Sequence, residues 1–168
     1  MKVKNLVYYS MCIALTLLLT WLFNVPYIVK EGYLNLGDVG VLLSGLLFGP
    51  IGGLIAGAIG SSLADILAGF ALYAPFTLVI KGIEGYIIGR FGKEKKDKYV
   101  FLICLLSTLF MVFGYFVSEC FLYGFGGAIV NVLGNLIQAV VASIVASLIY
   151  QTFKNTGVVK YIDKHIES

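Results

Sequence analysis

A chain of 168 residues that is 60% hydrophobic and only 12% charged is far more apolar than a water-soluble globular domain, which is nearer half apolar and a quarter charged. Its mean hydropathy of +0.95 makes lipid the solvent for most of its surface, and its length allows one domain. The net charge of +3 is too small to imply a nucleic-acid partner, so the placement of the basic residues matters more than their sum.

A spanning helix needs about 20 mainly apolar residues. The first such run covers 6–28; it is too long for a signal peptide, and no small-residue cleavage site follows it. Residues 30–37 form a polar connector. The run 38–49 is short and ends at Gly49-Pro50, where proline stops a helix at the preceding residue, so a tight turn and a new span over 51–67 are expected. The fourth span covers 74–91. The charged loop Gly92–Lys98 separates it from the fifth, 99–121, and the sixth covers 128–153. The polar tail after Lys154 is expected to lie on the membrane surface. The pattern predicts an all-α integral membrane protein, a six-helix bundle forming a single transmembrane substrate-binding domain over 1–168.

Basic residues concentrate on the cytoplasmic side of membrane proteins. With six spans both termini share one side. That side would hold Lys2, Lys4, Arg90, Lys93, Lys95, Lys96, Lys98, Lys154, Lys160 and Lys164, and the other side only Lys30. Both termini are therefore expected in the cytoplasm. Tyr8, Tyr9, Tyr99 and Tyr150 fall near inner ends and Tyr27, Tyr73 and Tyr123 near outer ends, as interface anchors do.

Depth then follows from the helical rise. Lys81 lies seven residues into the fourth span, roughly 10 Å below the outer face of a ~30 Å core. Glu84 is one turn deeper. Asp65 lies near the outer end of the third span and Glu119 near that of the fifth, while Asn131, Asn135 and Gln138 occupy the outer half of the sixth. Thr77, Lys81 and Glu84 are spaced as one helix face, and Asn131, Asn135 and Gln138 repeat that spacing. Ionisable groups inside a span cost at least about 2.5–3.5 kcal/mol each unless they face one another, water or a ligand. The expectation is a pocket open to the outside, lined by spans three to six, with Asp65, Glu84 or Glu119 as the counter-charge of Lys81. Tyr33, Asn35, Tyr73 and Tyr115 would complete it, and the 30–37 connector would act as its lid. The bland alternative is a purely structural ion pair and inter-helix amide bonds.

Little else points to chemistry. Cys12, Cys104 and Cys120 are widely spaced inside apolar runs and read as small packing residues. His165 sits in the tail and is expected to be solvated. Ser61, Ser62 and Lys81 make only a weak case for a Ser–Lys dyad. The glycines of 52–60 suit close helix packing rather than phosphate binding. No catalytic residue, metal ligand or cofactor is expected, and no nucleotide-binding motif would let the chain drive ATP-dependent transport alone.

The ordered set Tyr33-Leu34-Asn35-Leu36-Gly37-Asp38, Gly49-Pro50, the small-residue run to Asp65, Tyr73-Ala74-Pro75 and Lys81-Gly82 resembles the substrate-binding S components of energy-coupling factor (ECF) vitamin transporters. The resemblance is to the group with riboflavin, hydroxymethylpyrimidine and vitamin B6 S components. It implies residence in the bacterial cytoplasmic membrane, a membrane T subunit and a pair of ATPases that power uptake. S components dock on the T subunit through a small-xxx-small motif of the first helix, and the matching residues here are Ser10 and Ala14, with internal packing as the alternative. A cluster with both signs of charge, amides and aromatics suits a small polar heteroaromatic ring, a vitamin B6 form or hydroxymethylpyrimidine. Riboflavin, a self-contained proton-coupled carrier using Glu84 or Glu119, and a non-transporting scaffold are the other readings.

Overall fold

The computed structural model describes residues 3–23, 25–26, 33–93, 95 and 97–166. Tyr27, residues 30–32 of the expected lid, and the side chains of Tyr33 and His165 lie outside the described residues. Helix α1 spans Val3–Leu22. The apolar run continues to Ile28, but the helix does not, because Val25–Pro26 (β1) pairs with Tyr33–Leu34 (β2) in antiparallel register. Pro26 has no N–H to donate to a helix and disfavours helical geometry at the residue before it. This two-residue strand pair is the one departure from helix among the described elements.

Helix α2 runs over Gly37–Ile55, interrupted at Gly49, whose φ of 76° only glycine adopts readily. The turn expected at Gly49-Pro50 is therefore present. A π-helical stretch, Ala56–Ser61, and α3, Ser62–Leu67, continue the run. Helix α4 covers Ala74–Phe91, with a proline in its first turn, where the missing N–H costs nothing. Helix α5 covers Asp97–Asn155 and α6 Val158–Ile166.

At 59 residues, α5 would be roughly 90 Å long if straight, about three times the thickness of a bilayer core. It is not straight. Gly124 has a φ of 77° and a ψ of 171°, and the two halves return along each other: Glu119 meets Asn131, and Thr108 meets Ser143. The connector expected between 121 and 128 is thus a single-residue break within a helical run.

The two arms of α2 and helix α4 are held together by glycines. Gly53 and Gly85 face each other so closely that a Cβ on either would overlap the other's backbone carbonyl. Backbone approach of this kind supplies van der Waals contact, which drives helix association where lipid removes the hydrophobic incentive. Thr16 of α1 fits in the same way against Gly40 and Gly60.

Apolar and polar interiors are segregated along the bundle. Leu42, Leu46, Ile88, Val100, Cys104 and Tyr150 form an apolar core towards the Gly49 turn. Tyr150 is 1% exposed and belongs to that core, correcting its expected place at the interface. A smaller cluster of Ile80, Met111, Val112 and Ala139 lies further along α4 and α5. The outer surface carries large apolar side chains such as Met11, Trp21, Phe113 and Leu133. Asn5–Leu22, Gly37–Leu67 and Lys98–Asn155 are long and apolar enough to cross a membrane. Helix α4, with Lys81, Glu84 and Arg90 in 18 residues, is less apolar than these.

Candidate functional site

The polar face of α4 points inward. Thr77, Lys81 and Glu84 are all buried, as are Asn131, Asn135 and Gln138 on the second arm of α5, and Ser61, Ser62 and Asp65 at the end of the third helical run. The spacing read from sequence therefore sorted the faces properly. It did not find the partner of Lys81. The ammonium is bound by Asp38 Oδ1, on the first turn of α2, with Glu84 Oε2 at 3.4 Å as a second carboxylate. Of the three expected counter-charges, Glu84 is the one that stands beside it among the described contacts. Glu119 is engaged elsewhere, and Asp65 lies buried on α3.

Asp38 is the partner of Lys81 that sequence reasoning missed. An acid in the first turn of a helix is usually a companion of the helix dipole in water. Here α2 begins inside the protein, and Asp38 is 0% exposed. Its position inside an apolar run, immediately after the polar connector, was the available signal.

Around the ion pair the polar groups satisfy one another. Gln138 Nε2 donates to Asp38 Oδ2 at 2.7 Å, and Gln138 Oε1 accepts the Asn35 backbone N–H at 2.9 Å. Asn35 Oδ1 accepts the Gly37 N–H at 2.7 Å. Thr77 and Tyr115 exchange a hydroxyl bond of 3.0 Å, and the Tyr115 ring lies 5.6 Å from the Lys81 ammonium. Neither carboxylate oxygen of Glu84 accepts a hydrogen bond among the described residues, although the side chain is fully buried. A buried carboxylate with one salt-bridge neighbour and open acceptor sites is suited to a ligand that brings N–H donors.

A second station lies nearer Gly124. Asn131 Nδ2 donates to Glu119 Oε1 at 3.1 Å, joining the two arms of α5, and Glu119 Oε2 accepts nothing among the described residues. Asn131 is two helical turns from Gln138, or about 10 Å along the axis. The Tyr73 and Tyr123 rings meet at a tilt of 40°, with centroids 6.1 Å apart. The expected single cluster is thus resolved into two levels along α5.

Separate from both is an apolar cavity of about 550 Å³ between α1, the first arm of α2 and the end of α5. Met11, Leu15, Leu43, Phe48, Val145 and Phe153 line it. Apart from the Ser44 hydroxyl, its described lining has no hydroxyl, amide or charged side chain of the kind that orients a small polar ligand. Ser10 and Ala14, on the same stretch of α1, are exposed rather than packed inside the bundle.

Residues 1–155 match the family model described as ECF-type riboflavin transporter, S component. This chain belongs to that family. It is accordingly a membrane protein of vitamin uptake, a transporter component rather than an enzyme. It is 35% identical over 158 residues to the thiamine precursor transporter HmpT of Lactococcus lactis subsp. cremoris (strain MG1363), covering 94% of this chain and 92% of that one. It is 42% identical over 122 residues to a Pyrococcus woesei protein described as an uncharacterized protein in gap 3'region, covering 72% of this chain and 82% of that protein. A solved structure described as the S component of a bacterial ECF transporter superposes with a TM-score of 0.61 at 21% identity, covering 91% and 94% of the two chains. That likeness establishes the fold. The riboflavin and thiamine-precursor descriptions differ, so family membership does not by itself name the ligand.

Proposed function

We propose that this S component captures hydroxymethylpyrimidine, or a closely similar amino- or hydroxymethyl-substituted heteroaromatic ring such as pyridoxine or pyridoxamine, from outside the cell. The observation that carries this reading is the near full-length similarity to a thiamine precursor transporter, 35% over 94% of the chain. The site chemistry is consistent with it. Glu84 offers open acceptor sites to a ring amine, Asn131 and Asn135 suit ring nitrogens and hydroxyls, and Tyr73 and Tyr115 suit stacking.

In this reading six segments cross the bacterial cytoplasmic membrane, with Gly49 and the 92–98 loop on the inside and both termini cytoplasmic. The S component works with a T subunit and two ATP-binding subunits, docking through Ser10 and Ala14, and release inward is driven by the ATPases. Riboflavin is the second reading, favoured by the family description itself. Calorimetric titration of the purified chain with hydroxymethylpyrimidine, pyridoxine, pyridoxamine and riboflavin decides between them. Tight binding of riboflavin alone would replace the first reading by the second, and binding of none would remove both.

A further inference from the structure

One side chain joins the strand pair to the buried ion pair. Gln138, 6% exposed, accepts the Asn35 N–H with Oε1 and donates to Asp38 Oδ2 with Nε2. The other oxygen of Asp38 carries Lys81. Asn35 follows β2 directly, and its own Oδ1 holds the N–H of Gly37, the first residue of α2. A continuous polar chain therefore crosses from the end of β2 through α5 and α2 to α4.

The two ends of a glutamine amide have nearly the same shape and opposite polarity. An ionised Asp38 only accepts, so it draws Nε2 towards α2 and leaves Oε1 facing the strand. The backbone at Asn35 offers that oxygen an N–H. Were the amide reversed, Nε2 would face a second donor and the tether would fail. The buried ion pair thus determines which end of Gln138 the strand meets.

We infer that Gln138 is a positioning residue that tethers the end of β2 and the start of α2 over the outer part of the site, with its amide polarity set by the Asp38–Lys81 pair. The tether requires no bound ligand, so it can be tested apart from any substrate. The competing account is that β1 pairing and the continuity of α2 hold Asn35 without help from α5.

The experiment is amide hydrogen exchange at Asn35 in the full-length, detergent-purified protein, with α4 amides as the internal reference. Gln138→Leu should speed exchange at Asn35 by about tenfold or more, the size expected for losing one net hydrogen bond, and leave α4 unchanged. Gln138→Glu should do the same, because two acceptors then face each other at Asp38. Combining Gln138→Glu with Asp38→Asn reverses donor and acceptor in that contact and should restore protection to within about threefold of wild type. A merely structural glutamine would not be rescued in this way. If Gln138→Leu does not fold, Gln138→Met, of similar length and without hydrogen-bonding ends, takes its place. Exchange within about twofold of wild type in the single variants, or a double variant no better protected than Gln138→Glu, overturns the inference.

Discussion

Asp38 and Lys81 form a buried ion pair between α2 and α4, and Glu84 stands 3.4 Å from the same ammonium. One cation thus serves two carboxylates, so the three residues should not be equivalent in mutation. Lys81→Met strands both acids, and breaking a buried pair typically costs about 3–5 kcal/mol. Asp38→Asn leaves Lys81 with Glu84 and keeps an acceptor for Gln138, so it should cost about 1–3 kcal/mol. Thermal unfolding in one detergent should therefore rank wild type above Asp38→Asn and Asp38→Asn above Lys81→Met. The reverse order would mean that Glu84 does not hold the ammonium once Asp38 is neutralised, and that Asp38 is the group the network cannot lose.

The Gly53–Gly85 contact gives a prediction about assembly of the bundle. A side chain on Gly85 would meet the Gly53 carbonyl, which is backbone and cannot step aside as a flexible side chain does. Gly85→Val should abolish the monodisperse folded protein on size exclusion. Gly126→Val, at a glycine with open space around it, should be tolerated and serves as the control. Equal behaviour of the two would show that α2 and α4 do not approach as described.

How much of this was legible beforehand follows from which physical signals are local. Gly49-Pro50 announced its turn because proline chemistry acts on neighbouring residues. The inward face of α4 was legible because Thr77, Lys81 and Glu84 repeat at helical spacing. The end of α1 was missed because hydropathy alone carried the span on to Ile28, although Pro26 carries the same local signal as Pro50. Residues 122–127 were expected as a connector, but only Gly124 leaves helical geometry. Asp38 was hidden for a different reason. Pairing across helices depends on their rotation and register, which periodicity within one helix does not contain.

Ligand recognition should depend on both levels of the site. Removing one partner of a buried, hydrogen-bonded charged contact costs about 2–5 kcal/mol, roughly thirty-fold to several thousand-fold in affinity. Glu84→Gln and Asn131→Ala should each weaken hydroxymethylpyrimidine binding by amounts in that range while the protein still folds. Calorimetric titration of both variants measures this. Wild-type affinity in both would place the ligand elsewhere in the bundle.

Orientation in the membrane is testable with engineered thiols. Cys12, Cys104 and Cys120 are first replaced, and single cysteines are introduced at Glu31 or Lys95. An impermeant maleimide added to whole cells should label the first and spare the second, as the excess of basic residues on one side requires. The amphipathic α6 belongs with the Lys95 side, because Lys93 bridges Asp163 at 2.9 Å. Labelling of Lys95→Cys with Glu31→Cys protected would invert the topology.

The last prediction concerns coupling to the energising subunits, and it rests on the outward face of α1. Ser10 and Ala14 are one turn apart and both exposed, and the Ser10 hydroxyl turns back to the Leu6 carbonyl at 2.9 Å. That internal bond hides the hydroxyl's polarity and leaves a small, smooth patch of helix. Large apolar neighbours, Met11 and Leu15, flank it and form one wall of the 550 Å³ apolar cavity. Small residues beside large ones allow a partner helix to approach closely and then fill the adjoining groove. Ser10→Trp or Ala14→Trp should therefore block co-purification with the T subunit and ATPases and abolish uptake. Neither substitution reaches the Lys81 network, so ligand affinity of the isolated chain should stay within about threefold of wild type, under 1 kcal/mol. A fall in affinity together with uptake would instead make this stretch of α1 part of the bundle's own packing. Unchanged co-purification would move the docking surface to another face.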